Sequence, residues 1–197
     1  MISWFFIGLV ATILLTPGPT NTLLASSGVQ VGVRKSLLLI PAEALGYVIA
    51  ISVWGVLIGK VSTALPLLLP LLKLLSAVYI VFLAIKLWRT AKQQVALNQP
   101  TIRPRELLAA TLCNPKALIF ASAIFPALVW QDQDLYTLHM TVFVALILPI
   151  ALFWITVGSV LATNKLTWLS QSQLQRTASV VLVGFSIPMS YSALINL

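Results

Sequence analysis

The sequence predicts an all-α integral membrane protein with six transmembrane helices, and three observations carry that expectation. The first is composition. Of 197 residues, 59% are hydrophobic and 8% charged, with mean hydropathy +1.01. A soluble domain is about 45–50% apolar and about 25% charged. A chain this long could bury a good soluble core, but it could not hide this much apolar surface from water, so lipid must be its solvent. The second observation is the presence of six apolar runs of the kind that span a bilayer in about 20 residues. The third is the absence of period-2 alternation, which argues against a barrel. Helices, by contrast, satisfy their backbone hydrogen bonds internally in lipid.

The runs follow in order. Helix one is expected from Ser3 to Ser27 and helix two from Ser36 to Gly59. Helix three follows the proline-punctuated stretch Leu65 to Leu69 and runs from Pro70 to Trp88. Helix four covers Leu107 to Trp130, helix five Tyr136 to Ala162 and helix six Leu174 to Leu197. Met1 to Phe6 carry no basic n-region, and the run that follows is too long for a signal-peptide core, so helix one is expected to remain in the mature protein. The longest polar break, Thr90 to Glu106, holds Lys92, Asn98, Pro100, Arg103, Pro104 and Arg105. It divides one transmembrane domain over 1–197 into halves of about 1–90 and 105–197, joined by a cytoplasmic linker of about 91–104.

Basic residues orient the bundle. Arg34 and Lys35 lie between helices one and two, Arg89, Lys92, Arg103 and Arg105 between three and four, and Lys165 and Arg176 between five and six. Alternating spans put all three loops on one side. The other side carries Lys60, Lys73 and the acidic pair Asp132 and Asp134. The positive-inside rule then makes those loops cytoplasmic and both termini external. The net charge of +8 is thereby accounted for without nucleic acid, since no basic stripe is interleaved with aromatic residues. Three helices per half require the halves to enter the membrane in opposite senses, which is the inverted-repeat plan of many transporters. One ungapped shift carries Pro19, Ala25 and Ser26 onto Pro115, Ala121 and Ser122; chance similarity between two apolar helices is the alternative.

Two spans are broken by their own residues. Helix one contains Thr16-Pro17-Gly18-Pro19-Thr20-Asn21. Its prolines lack a backbone donor and clash with the preceding turn. Carbonyls left without helical partners are costly in hydrocarbon, so such a segment persists where protein or water satisfies it, and a polar solute can bind there. The alternative is a plain kink filled by neighbours. Helix four contains Asn114-Pro115-Lys116. Lys116 lies about ten residues, or about 15 Å, inside that span; it either serves function or snorkels to the cytoplasmic headgroups. Pro149 and Pro188 stand alone and read as kinks.

These motifs resemble the LysE/RhtB family of amino-acid exporters. The match runs from Pro17-Gly18-Pro19 through Gly32, takes in Gly46 and Gly55 in helix two and Tyr79 and Lys86 in helix three, and is strongest again at Asn114-Pro115-Lys116-Ala117 with Phe120 and Pro126. The chain departs from the family pattern at Ala42, Leu107, Ala127 and Leu128. The resemblance implies secondary-active export of amino acids or related metabolites across the cytoplasmic membrane, driven by an ion gradient, with protons the expected coupling ion. It implies a small-molecule substrate and no cofactor.

Other classes fit poorly. Cys113 is the only cysteine and His139 the only histidine, which excludes an internal disulfide, paired-cysteine redox chemistry and a His-rich metal site. Cys113 reads as a small packing residue. An intramembrane serine hydrolase would need a serine beside His139, and an aspartyl protease two intramembrane aspartates; Asp132 and Asp134 share one loop. A metal-ion exporter and a non-transporting scaffold remain the rival readings, and self-association into a homo-oligomer stays open.

Pro17, Gly18, Pro19, Asn21, Asn114, Pro115 and Lys116 are therefore expected to line one substrate cavity, because each broken segment can supply the other with polar company. Half-helix N-termini beyond Pro19 and Pro115 carry partial positive charge and suit a carboxylate, and the two asparagines can bond either end of a zwitterion. Glu43 is the one carboxylate well inside a span, about seven residues or roughly 10 Å from the start of helix two. An ionised side chain there is costly, so Glu43 is a candidate to carry the coupling proton. Binding a substrate ammonium, or pairing with Arg34 or Lys35 at the interface, are the alternatives. Gly46 and Tyr47 share its helix face. Glu106, among Arg103 and Arg105, reads as a solvated ion pair.

Overall fold

A computed structural model describes residues 2–61, 65, 67–90 and 102–162, and positions 176, 179, 180, 183, 184, 186, 187, 190, 191, 194 and 195 further on. About half of the expected sixth helix, with Pro188, and also Lys165, most of the linker and the side chains of Lys73, Tyr79 and Lys86 therefore lie outside the described residues; the described positions from 176 onward are helical. Among the described residues there is no strand.

Helix one is two helices. The first, α1 (Trp4–Leu15), starts at Ser3, whose hydroxyl accepts the Phe6 N–H at 3.1 Å. It stops where Pro17 follows. The second, α2 (Pro19–Ser36), begins with Pro19 in its first turn and Gly18 extended before it. The two are bent by 57°. The α2 segment runs beyond the expected end at Ser27, because the Ser26 and Ser27 hydroxyls are buried in side-chain hydrogen bonds rather than marking an exit from the membrane. Gly32, at φ 75°, breaks its ladder. Glycine tolerates that left-handed region without steric cost. The Ser36 hydroxyl bonds the Gly32 carbonyl at 2.9 Å and the Ser27 hydroxyl at 2.7 Å, fastening the turn that carries Arg34 and Lys35.

The next elements are α3 (Leu39–Val61) and α4 (Leu68–Thr90). Helix four is again broken, into α5 (Pro104–Leu112) and α6 (Pro115–Ile119), which continues as a π-turn over Phe120–Ile124; the bend is 45°. A single 3-10 turn, Ala127–Trp130, leads to α7 (Gln133–Ala162), which carries Pro149 inside it. Two helices, Leu39–Lys60 and Gln133–Leu161, are each long and apolar enough to cross a membrane, and each broken pair makes a further candidate span.

Small residues set the packing. A Cβ on Gly28 would run into the Ile155 carbonyl, and one on Gly158 into the Ala25 carbonyl, so α2 and α7 lie backbone to backbone. Close approach of this kind drives helix association in lipid, where the hydrophobic effect between helices is absent. Gly46 likewise admits Thr111 of α5, and Gly55 admits the Trp130 ring. At the basic end of the bundle, the Arg176 guanidinium stands 5.3 Å over the Trp88 ring.

Two local expectations change. Cys113 caps α5 and is exposed rather than packed, because the break itself turns it outward. The Glu106 carboxylate accepts the Arg103 backbone N–H at 3.0 Å, so it caps α5 instead of forming a side-chain ion pair. Such a cap satisfies a donor that the first helical turn leaves free. His139, near the start of α7, is buried edge-on to Phe6, with centroids 4.9 Å apart.

Candidate functional site

The break in helix one frees acceptors at known places. An α-helical carbonyl bonds the N–H four residues on, and the donor due to Ile13 would be the nitrogen of Pro17, which has no hydrogen. Side chains fill the gap. The Lys116 ammonium donates to the Ile13 carbonyl at 2.9 Å and to the Thr16 carbonyl at 2.6 Å. The Asn21 amide donates to the Leu14 and Thr16 carbonyls at 2.6 and 2.8 Å. The Pro-Gly-Pro segment is thus closed by one side chain from its own half and one from the other half of the chain. Gly18 leaves room for this contact, because a Cβ there would lie 3.0 Å from Lys116 Cε and 3.1 Å from its Nζ.

The second break supplies the other side. Asn114 caps α6, its Oδ1 accepting the Lys116 backbone N–H at 3.0 Å. Its amide nitrogen donates to the Tyr47 hydroxyl at 2.8 Å and to the Thr20 hydroxyl at 3.4 Å. Thr20 and Tyr47 are themselves 3.5 Å apart. The Glu43 side chain is 2% exposed; it shares a hydrogen bond with Thr20 and feels the Lys116 charge. Lys116 is equally buried at 2%, so it does not snorkel, and Glu43 is not an interfacial partner of Arg34 or Lys35. The two opposite charges interact through space while Lys116 is held by main-chain carbonyls.

The structure brings Asn21, Glu43, Asn114 and Lys116 into one buried centre, and Pro17, Gly18, Pro19 and Pro115 shape the breaks that border it. Thr20 and Tyr47 complete that centre. Both were visible as neighbours of the motifs, Thr20 beside Pro19 and Tyr47 four residues beyond Glu43, but nothing local marked them as partners of Asn114. A wall of rings was not legible at all: Tyr47, Phe120 and Phe143 meet edge to face at 4.9–5.9 Å, an arrangement aromatic pairs favour. Among the described residues, no group of three or more His, Cys, Asp or Glu could hold a metal ion.

The family model for the LysE type translocator matches residues 11–192. An uncharacterized membrane protein of Vibrio cholerae is 30% identical over 126 residues, which cover 61% of each chain. A homoserine/homoserine lactone efflux protein of Salmonella typhimurium is 29% identical over 136 residues, covering 66% of each chain, and one of Salmonella typhi gives the same figures. The chain thus spans just under two thirds of the length of these curated relatives. No solved structure matches.

Proposed function

Since the chain belongs to the LysE type translocator family, we propose that it is a secondary-active exporter of amino acids or related small metabolites across the cytoplasmic membrane, coupled to protons. The observation that carries this reading is the buried pair Glu43 and Lys116, set between two broken helices. A lysine ammonium has three donors, and main-chain carbonyls take two of them here. The third suits the carboxylate of a zwitterion, while Glu43 suits its ammonium. At the Glu43 carboxyl a proton and a solute ammonium are mutually exclusive, which is the requirement for exchanging one for the other. The family is one of transporters, so no enzymatic step is invoked.

The architecture proposed for this activity is a single domain of six spans in two inverted repeats, with halves of about 1–90 and 105–197, a cytoplasmic linker and both termini outside. Its support is the constant shift that carries Pro19 onto Pro115. Each proline opens the half-helix that follows a break. The same shift carries buried Leu24, Glu43, Tyr47 and Ile51 onto buried Phe120, His139, Phe143 and Ile147. The stacking of Arg176 on Trp88 agrees with helix three ending and helix six beginning on the same side.

The test is counterflow into proteoliposomes with a panel of labelled amino acids, including homoserine because the Salmonella relatives bear that name. Saturable accumulation of at least one solute, stimulated by a pH gradient, is expected. A reconstituted, folded protein that moves none of the panel would support the scaffold reading instead.

A further inference from the structure

Beyond its break, helix four does not continue as a regular α-helix. Phe120–Ile124 winds as a π-turn and the extended Phe125 and Pro126 follow. Single π-turns recur at functional sites. Pro126 has no N–H, so the Ser122 carbonyl loses the donor that α-winding would supply, and the Ala121 carbonyl the donor that π-winding would supply. The Phe125 N–H returns to the Phe120 carbonyl at 2.8 Å. The carbonyls left over stand at the C-terminal end of a helical segment, where partial negative charge collects.

They border a cavity of about 180 Å³, lined by residues 121–127 with Ile58, Gly59, Trp130 and Gln131. That volume holds several waters at about 30 Å³ each, or a short organic cation. No charged side chain lines it, and the Ser122 hydroxyl is turned onto the Leu118 carbonyl at 2.7 Å. Its polar wall is therefore main chain together with the Gln131 amide. A second wall is aromatic: the Phe125 and Trp130 rings stack with centroids 5.5 Å apart and planes 19° apart. Gly55 and Gly59 of α3 hold Trp130 there, since a Cβ on Gly55 would strike the ring and one on Gly59 would press its Cβ at 3.1 Å. Carbonyls that proline leaves without a helical donor accept hydrogen bonds from an ammonium, and ring faces attract its charge.

We propose that this cavity is a second binding site, for a primary ammonium group, on the acidic-loop side of the bundle and separate from the centre at Glu43 and Lys116. In an exporter it is a station on the way out; that word alone rests on the proposed function, because the binding itself needs no transport.

The experiment is ¹⁹F NMR of the full chain in detergent, with 5-fluorotryptophan incorporated and the Trp130 line assigned by Trp130→Phe. Ethylammonium chloride is expected to shift that line saturably, and sodium propionate to leave it unmoved. Pro126→Ala restores a main-chain N–H that can occupy the Ser122 carbonyl, and is expected to weaken ethylammonium binding about tenfold, the order of one lost hydrogen bond to a charged group. Phe125→Leu removes one ring face without touching the main chain and is expected to weaken it as well. Gly8→Ala, placed where no atom lies within 4 Å of the added Cβ, serves as the unchanged control. No saturation, an equal response to propionate, or wild-type binding by both Pro126→Ala and Phe125→Leu overturns the proposal, and leaves the counterflow result at the central site untouched.

Discussion

Replacing Lys116 by methionine tests how the two halves of the site hold each other. Methionine keeps the length and bulk of the side chain and removes the charge. The ammonium makes two hydrogen bonds, at 2.9 Å to Ile13 and 2.6 Å to Thr16. The Thr16 carbonyl keeps the Asn21 amide at 2.8 Å, so its loss is partial. The Ile13 carbonyl has no helical donor, because residue 17 is proline, and is left unsatisfied at a cost of about 1–3 kcal/mol. Glu43 loses the Lys116 charge, which adds a penalty of similar order. The variant is therefore expected to be destabilised by about 3 kcal/mol, or a fall in apparent melting temperature on the order of 6–12 °C for a chain of this size. Lys116→Met with Glu43→Gln removes the uncompensated carboxylate and should recover about 1 kcal/mol, a coupling of the size found for contacting residues. The assay is thermal unfolding in detergent of wild type, both single variants and the double. A Lys116→Met protein as stable as wild type, or a cycle with no coupling, would refute the argument that Lys116 closes the break and answers Glu43.

Two further outcomes follow from the same geometry. Glu43→Gln keeps its hydrogen bond to Thr20 but cannot exchange a proton, so export driven by a pH gradient is expected to fall to background while solute–solute exchange persists. Full proton-driven export with an unchanged pH profile would remove Glu43 from coupling. Gly158→Ala drives a methyl group into the Ala25 carbonyl and is expected to cost about 1–3 kcal/mol, as overpacking does, seen as a lowered melting temperature; Gly8→Ala, with open space around it, should leave stability unchanged.

Much of the architecture was legible because it depends on local chemistry. Apolar runs with few charges dictate membrane helices whatever their neighbours, and proline's missing N–H dictates where the backbone ladder fails, at Pro17, Pro19 and Pro115. The one carboxylate placed well inside a span, Glu43, marked itself by its cost. Element ends were less legible. Helix one was expected to end at Ser27, yet α2 runs on to Ser36, with the Ser27 hydroxyl bonded to Ser36 and the Ser26 hydroxyl accepting the Gln30 amide.

The partners of each polar group were decided only by the tertiary structure. Lys116 could have reached headgroups, substrate or protein, and nothing within its own helix chooses among them. The choice falls to the carbonyls of Ile13 and Thr16, 103 and 100 residues away in sequence, once the two broken helices cross. The same holds for Asn114, whose amide finds Tyr47 and Thr20 at separations of 67 and 94 residues. The sequence determined which groups would be left wanting a partner, because backbone donors and side-chain charge are properties of each residue. Only the approach of one helix to another, set by glycines such as Gly28, Gly46 and Gly158, determined which partner each one found, because a hydrogen bond exists only at about 3 Å and no local pattern fixes distance between helices.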